Sequence, residues 1–151
     1  MESITTTTGY CIFPEHNLAM IVYQGHITNK DIVKCIEAQY ANTILRSIPN
    51  RLIDFRNAKI VLKNSNINIS NEVKHIRQKL NEHQPVNTKE AILVAQPGET
   101  AYFYLYLETS RESGKTVKCF STLDAALNFL DIQLFDDEKD SLTENMTQIL
   151  N

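Results

Sequence analysis

The sequence predicts an α/β domain: a mixed sheet of about five strands that opens with an antiparallel hairpin and continues with parallel strands, accompanied by about four helices. Two observations support this class. Near the N-terminus, two short apolar runs flank a three-residue polar break, as in a hairpin. Further along, apolar runs at Asn50–Ala58, Ala91–Ala95 and Thr116–Phe120 alternate with stretches of helical periodicity. Such alternation is typical of parallel strands joined by right-handed crossovers.

Length, charge and cysteine content restrict the function classes. The 151 residues fit one domain. A formal charge of −3 without a lysine and arginine cluster argues against nucleic-acid binding. No apolar run is long enough for an integral membrane segment, and the N-terminus lacks signal-peptide order, so we expect a cytoplasmic protein. Cys11, Cys35 and Cys119 are odd in number and far apart, which favours reduced thiols.

The domain boundaries follow from composition. Residues 1–8 are polar and rich in threonine, so we expect a disordered N-terminus. Residues 9–135 carry the periodic apolar pattern of a single domain. Residues 136–151 are acidic and have little apolar surface, so we expect a mobile tail or a loosely held helix.

The hairpin is predicted from two strand-like runs, Tyr10–Pro14 and Leu18–Tyr23, around the break Glu15–Asn17. Both faces of the second run are apolar, which places this strand inside the sheet. Gly25 and His26 interrupt the pattern, so the strand is expected to stop before them.

A capping box predicts the first helix. Thr28 is suited to the N-cap, Asp31 completes the box, and Ile27 can pack on Ile32. Apolar residues then recur at every fourth position, at Ile32, Ile36, Tyr40 and Ile44. This spacing predicts one apolar stripe on a helix that ends before Pro49.

The later helices are predicted from caps and stops. Asn68 or Ser70 can begin a helix that ends before Pro85. Residues 100–112 alternate like a strand, yet their length and the following Gly114 favour a helix. The last helix is expected after a second capping box, formed by Ser121 with Asp124.

The strand Asn50–Ala58 carries the candidate site. Ligands and partners tend to gather outside the carboxyl ends of parallel strands, where Asp54, Arg56 and Asn57 are expected to emerge. We therefore predict an interaction surface there, continued by a loop over Lys59–Ser70. Alternatively, Asp54 has only a local role and caps a neighbouring helix or pairs with Arg56.

The order of elements, with the phrases NLAMIVYQGHIT, NRLIDFRNA, AILVAQPGETAYFY and VKCFSTLDAALNFL, resembles the STAS and SpoIIAA-like superfamily. The superfamily is named for sulphate transporters and anti-sigma factor antagonists. The resemblance spans roughly Tyr10–Leu134 and is closest to small stand-alone bacterial members. It depends on element order and strand-end phrases rather than on catalytic residues.

The resemblance implies a candidate phosphoacceptor. In signalling members, a strand-end Asp precedes a loop in which a Ser or Thr, after an Asp and before a Gly, is phosphorylated at a helix N-terminus. Asp54 matches the strand-end acid, and Ser70 is the nearest counterpart of the hydroxyl residue. The loop departs from the pattern because it is longer and has neither the preceding Asp nor any Gly. A plain N-cap is the competing interpretation of Ser70.

The superfamily is also similar in wiring to lipid-carrying Sec14-type domains, which implies an apolar pocket as an alternative. Its lining would come from an aromatic segment: Tyr102, Phe103, Tyr104 and Tyr106. The same residues would suit ordinary core or the surface of a homodimer.

No enzyme class has a supporting pattern. The four histidines show no metal-ligand spacing with one another or with the cysteines, and no cysteine has the exposed, electropositive setting that a nucleophile needs. We therefore expect no catalytic residue, no metal and no cofactor. The leading hypothesis is a non-catalytic cytoplasmic regulatory or protein-interaction domain with an unknown protein partner. The alternative is a carrier or sensor of a small apolar, lipid-like ligand.

Overall fold

The computed structural model describes residues 7–28, 31–32, 34–35, 38, 41–61, 78, 88–95 and 116–149. Its strands are β1 (Thr7–Phe13), β2 (Leu18–Ile27), β3 (Asn50–Ile60), β4 (Lys89–Leu93) and β5 (Thr116–Phe120). Its helices are α1 (Thr43–Ser47), α2 (Leu123–Phe129) and α3 (Asp136–Ile149), and the described residues within 31–41 are also helical. The helices predicted near residues 70–84 and 100–112 lie almost entirely outside the described residues.

The strands form a five-stranded sheet in the order β1-β2-β3-β4-β5. β1 pairs antiparallel with β2, and the remaining neighbours pair parallel. The mixed sheet, the opening hairpin and the interior position of the second strand are thus confirmed. None of the described helices is both long and apolar enough to cross a membrane.

The hairpin turns through a 3-10 segment, Pro14–His16, followed by Asn17 in the left-handed conformation at φ 49°. Asparagine tolerates this conformation better than most residues, so the polar break suits the turn. β1 begins at Thr7, earlier than the predicted Tyr10, because Thr7 and Thr8 pair with residues of β2. β-Branched threonines fit this extended edge.

β2 does not stop before Gly25, as the sequence suggested, but continues to Ile27. Gly25 has a positive φ of 89°, which costs glycine little, so the strand passes through the expected breakpoint. β3 is also longer than predicted, since Lys59 and Ile60 extend it and pair with His26 and Ile27.

Each face of the sheet has its own buried cluster. One cluster joins Ala19, Ile21, Tyr23, Ile27, Phe55, Ile92, Val94 and Val117 to Ile32, Leu45 and Ile48. The other joins Leu18, Met20, Val22, Leu52, Ala91 and Leu93 to Ala126, Leu127, Leu130, Ile132 and Leu142. Neighbouring β2 residues alternate between the clusters, which explains why Leu18–Tyr23 is apolar throughout.

The predicted capping box is confirmed. The Thr28 N–H and hydroxyl both donate to Asp31 Oδ2 at 2.9 Å, and the Asp31 N–H donates to Thr28 Oγ1 at 3.3 Å. Ile27 and Ile32 are both buried beside it. This local signal therefore gives the start of the helix correctly.

The apolar stripe predicted through Ile44 is wrong at its end. The Ile44 side chain is 65% exposed, whereas the neighbouring Leu45 is fully buried. The Asn42 side chain accepts hydrogen bonds from the N–H groups of Ile44 and Leu45 and so caps α1 as a new helix. The interruption at Asn42 changes the helical phase, and Leu45 rather than Ile44 faces the sheet.

A buried arginine ties α1 to the sheet. Arg51 Nη2 donates to the Leu45 carbonyl at 3.0 Å, which satisfies an acceptor at the end of this short helix. Arg51 lies in register with Glu90 on β4, and both side chains are buried. The amino-terminal half of the parallel sheet therefore contains charged groups that the apolar strand pattern did not predict.

Two details differ near the C-terminus. The N-cap of α2 is Thr122, whose side chain accepts from the Ala125 N–H at 3.3 Å, rather than the predicted Ser121. The acidic segment forms α3 over Asp136–Ile149, and Leu142 is buried in the second cluster. Of the two expected states of this segment, the structure shows the helix.

Candidate functional site at the carboxyl ends of the strands

The candidate site lies where β4 separates from β3. The pairing of these strands runs from Asn50 with Lys89 to Asp54 with Leu93. β5 ends at the same level, because Leu93 pairs with Phe120. β2 and β3 continue beyond this level to Ile27 and Ile60 and form an extension, the ribbon, along which β1 pairs with β2 as far as Gln24. Asp54 therefore stands at the base of the ribbon, not at the tip of its strand as the sequence suggested.

A bulge marks the same level. Val22 pairs with Asp54, and the next aligned pair is Gln24 with Asn57, so Tyr23 stands opposite both Phe55 and Arg56. The Tyr23 and Phe55 rings stack with centroids 4.4 Å apart and an interplanar angle of 5°. Bulges re-aim side chains beside functional sites, and this stack on the buried face stabilises the bulge.

Asp54 and Arg56 form a bidentate ion pair beside the bulge. Arg56 Nε donates to Asp54 Oδ1 at 3.0 Å and Nη2 donates to Oδ2 at 3.0 Å. The Arg56 backbone N–H also donates to Oδ1 at 2.9 Å. Only 5% of the Asp54 side chain is exposed, against 34% of the Arg56 side chain. The carboxylate thus accepts the Arg56 N–H at a level where the described pairing between β3 and β4 has ended.

The exposed face of the ribbon is polar. Gln24 pairs with Asn57 and His26 pairs with Lys59 across the two strands, and by strand alternation all four lie on one face. Gln24, Asn57 and Lys59 are exposed and His26 is half-buried. The opposite face carries Gly25, Ile27, Ala58 and Ile60 and packs toward the first buried cluster. The four polar residues of the exposed face are named the strand-end patch: Gln24, His26, Asn57 and Lys59.

Sequence reasoning found part of this arrangement. Arg56 and Asn57 are on or beside the strand-end patch, whereas Asp54 is buried below it and pairs with Arg56, as the local alternative proposed. Gln24 and His26 were missed, because Gly25 was interpreted as the end of β2. The sequence does not specify how β2 and β3 align. It therefore did not indicate that Gln24 and His26 would pair with Asn57 and Lys59.

Two solved structures share this topology. An anti-sigma factor antagonist from Mycobacterium paratuberculosis superposes with a TM-score of 0.56 and 17% identity, over 84% of this chain and 95% of that one. The chain has the SpoIIAA-like fold. An uncharacterized DUF3478-family protein from Shewanella loihica with a SpoIIAA-like fold has a TM-score of 0.54 and 13% identity, over 86% of this chain and 98% of that one. No family model and no curated protein matches the sequence.

Several predicted residues of this SpoIIAA-like domain lie outside the described part of the chain. They are the candidate phosphoacceptor Ser70 and the aromatic segment Tyr102, Phe103, Tyr104 and Tyr106. Their predicted roles therefore stay predictions, as does the loop over Lys59–Ser70 beyond residue 61.

The chemistry of the described residues is that of a polar surface. Burial raises the pKa of Cys119 from its ordinary 9.0 to about 11, so its thiol stays protonated at neutral pH and is a poor nucleophile. Within the described ranges, no three His, Cys, Asp or Glu side chains are grouped to hold a metal ion. What the SpoIIAA-like framework presents at its strand ends is a set of hydrogen-bonding groups on the ribbon.

Proposed function

We propose that this chain is a non-catalytic, cytoplasmic regulatory domain that binds a protein partner through the strand-end patch. The observation that carries the proposal is the ribbon itself. It extends beyond β4 and β5, buries its apolar face and carries two cross-strand polar pairs on the other face, of which Gln24, Asn57 and Lys59 are exposed. A structural neighbour described as an anti-sigma factor antagonist supports a regulatory role, and such a role requires contact with another protein.

The chemistry of the strand-end patch suits a protein surface. Gln24 and Asn57 offer amide donors and acceptors, and Lys59 supplies a positive charge. The Arg56 guanidinium is bonded to Asp54, so this arginine contributes shape more than an unbalanced charge. One unbalanced cation is too little for a polyanion but suits the polar rim of a protein interface.

The test is partner capture with a tagged full-length chain purified from its own source after cross-linking. The variant Asn57→Ala with Lys59→Glu should recover at least about tenfold less of any protein captured by the wild type. Lys34→Glu is the matched control. Lys34 is also exposed, but it lies in the helical segment within residues 31–41, before α1. Equal recovery by all three chains, or no partner for the wild type, would contradict the proposal.

Ser70 phosphorylation, a homodimer and a lipid-like ligand remain separate proposals, because they depend on residues outside the described ranges. Native and denaturing mass spectra of the same preparation distinguish them. A phosphate mass retained on denaturation and lost in Ser70→Ala would support the switch. A clean multiple of the chain mass would support the homodimer, and extra mass lost on denaturation would support a bound ligand.

A further inference from the structure

A second surface lies at the opposite end of the parallel strands. Lys89, the first residue of β4, bonds through Nζ to Asp131 Oδ2 at 3.0 Å, just after α2. His16, in the hairpin turn, bonds through Nε2 to Glu138 Oε2 at 3.2 Å, near the start of α3. These contacts place the connection between α2 and α3 at the amino ends of the strands, away from the strand-end patch.

A groove opens at this connection. It has a volume of about 340 Å³, and its lining combines the apolar residues Leu127, Ile132, Leu134 and Phe135 with polar ones such as Asn128 and Gln133. Ile132 and Leu127 are buried at its base, Leu134 is half-buried, and Phe135 is 78% exposed. Among the described residues, Phe135 is the most exposed large apolar side chain.

The Phe135 side chain is exposed, whereas its backbone is held by two hydrogen bonds. Its N–H donates to Glu138 Oε1 at 3.2 Å, and its carbonyl accepts from the Lys139 N–H at 3.0 Å, which makes Phe135 the N-cap of α3. Ser, Thr, Asp and Asn favour this position because their side chains satisfy free N–H groups, which Phe cannot do. Phe135 thus departs from both the capping preference and the preference for burial, a combination expected at functional positions.

The surroundings of the groove are acidic. α3 carries five carboxylates and a single lysine over Asp136–Ile149. Asp136, Asp137 and Asp140 are exposed and make no ion pair within the described residues. The one lysine is already engaged, since Lys139 Nζ lies 3.1 Å from Asp124 Oδ1 at the groove wall. An apolar floor beside unbalanced negative charge is complementary to apolar side chains flanked by lysine or arginine.

We propose that this groove docks a basic amphipathic helix of a protein partner, with Phe135 as its aromatic anchor. An exposed aromatic ring on a hydrogen-bonded backbone beside a groove can anchor an interface. A second copy of the chain is a poorer occupant, because it would bring another acidic α3 against the first. The proposal does not depend on the strand-end patch.

The test measures binding of a synthetic peptide by fluorescence anisotropy with the full-length chain. The labelled peptide forms a helix of about five turns with Leu at positions i, i+3, i+4 and i+7 and Lys elsewhere. A second peptide has Glu in place of every Lys. We expect the Lys peptide to bind, its affinity to fall as salt rises, and the Glu peptide to bind at least about tenfold more weakly.

Variants locate the binding. Phe135→Ser should weaken the Lys peptide at least about tenfold, because it removes the anchor. Ile44→Ser is the matched control, since Ile44 is also exposed but lies on α1, and it should leave the affinity unchanged. Asp136→Asn with Asp140→Asn should weaken binding and flatten its salt dependence. Equal affinities for Phe135→Ser and Ile44→Ser, or for the two peptides, would overturn the proposal.

Two further readouts separate a loss of binding from unfolding and from dissociation of a dimer. The Tm of Phe135→Ser should equal or exceed that of the wild type, because Ser is a better N-cap, so lost binding cannot be ascribed to unfolding. Sedimentation tests the second copy: a dimer that Phe135→Ser dissociates would overturn the basic-helix proposal. Lys59→Glu should leave peptide affinity unchanged, which separates a failure here from a failure of the strand-end patch.

Discussion

At the carboxyl ends of the parallel strands, the charge of Arg56 is balanced by a carboxylate two residues away, and the exposed groups are mostly neutral and polar. At the amino ends, α3 leaves several carboxylates without an ion pair in the described part of the chain and holds the Phe135 ring in solvent. The first surface is shaped by pairing between two strands, and the second by a helix start. The two surfaces therefore suit partners of different chemistry.

The contrast shows how each surface depends on the core. Below the strand-end patch, Asp54 cannot change without disturbing the bulge, because it is buried beside the residues that form the bulge. Phe135 contributes its side chain to no buried cluster, and its backbone bonds would remain after substitution. Substitution of Asp54 should therefore affect stability, whereas substitution of Phe135 should affect binding.

The largest expected effect is that of Asp54→Ala. It removes the carboxylate that accepts hydrogen bonds from the Arg56 guanidinium and backbone N–H, and breaking such a pair costs about 3 kcal/mol of unfolding free energy. Partial exposure of Arg56 keeps this at the low end of the usual range. Urea denaturation measures the change, and the double variant with Arg56→Ala should recover part of it. A loss below about 0.5 kcal/mol would contradict a stabilising role for the pair.

The alkylation rate of Cys119 tests whether this thiol, at the strand ends, is shielded from water. With the pKa of Cys119 at about 11 rather than 9.0, the thiolate fraction at pH 8 falls roughly a hundredfold. Alkylation of a Cys11→Ser, Cys35→Ser chain should be slower than for a free thiol by about that factor, with a rate that keeps rising to about pH 11. A rate that levels near pH 9 would show an open site.

The same shift gives a pH dependence of stability. Between pH 9.0 and about 11, an unfolded chain has lost a Cys119 proton that the folded chain retains. The unfolding free energy should therefore fall as pH rises through this window. Denaturation midpoints at the two limits, compared between wild type and Cys119→Ala, measure the contribution. An identical pH slope in both chains would contradict it.

Leu142→Ala tests the attachment of α3 to the sheet. Leu142 is buried with Leu18 and Leu130, and its truncation should cost about 2 kcal/mol, the lower end for a core leucine in a helix at the edge of the domain. It should also weaken binding at the groove, because α3 positions Phe135. Thermal unfolding measures the first effect, and Thr143→Ala, on the same helix, is the control. Equal Tm values would indicate that α3 is held loosely.

The smallest expected effect concerns the N-cap. Phe135→Ser should raise the unfolding free energy by about 0.5 kcal/mol, since a serine hydroxyl can accept from an N–H in the first turn of α3. Urea denaturation of Phe135→Ser and Phe135→Ala gives the comparison, because alanine removes the ring without adding a cap. A clear destabilisation by serine would mean that the ring packs on the domain, and the contrast between the two ends would fail.

Local signals in the sequence predicted much of the fold. The capping box at Thr28 and Asp31, the polar break before Leu18 and the run Thr116–Phe120 each depend on residues close in the chain, and all three appear in the structure. The candidate site was predicted only in part. Asp54 and Arg56 were found because they are neighbours, whereas Gln24 and His26 required a strand pairing that no local pattern specifies.

The sequence by itself determined the type of the five strands and of the helices that follow Thr28 and Phe120, because apolar period and cap chemistry act within a few residues. Only the tertiary structure decided that β2 runs through Gly25, that Asn42 restarts a helix and turns Ile44 to solvent, and that Phe135 stands exposed. These outcomes depend on register and on what packs against each residue. Both are set by partners far away in the chain, and a one-residue shift reverses which face is buried.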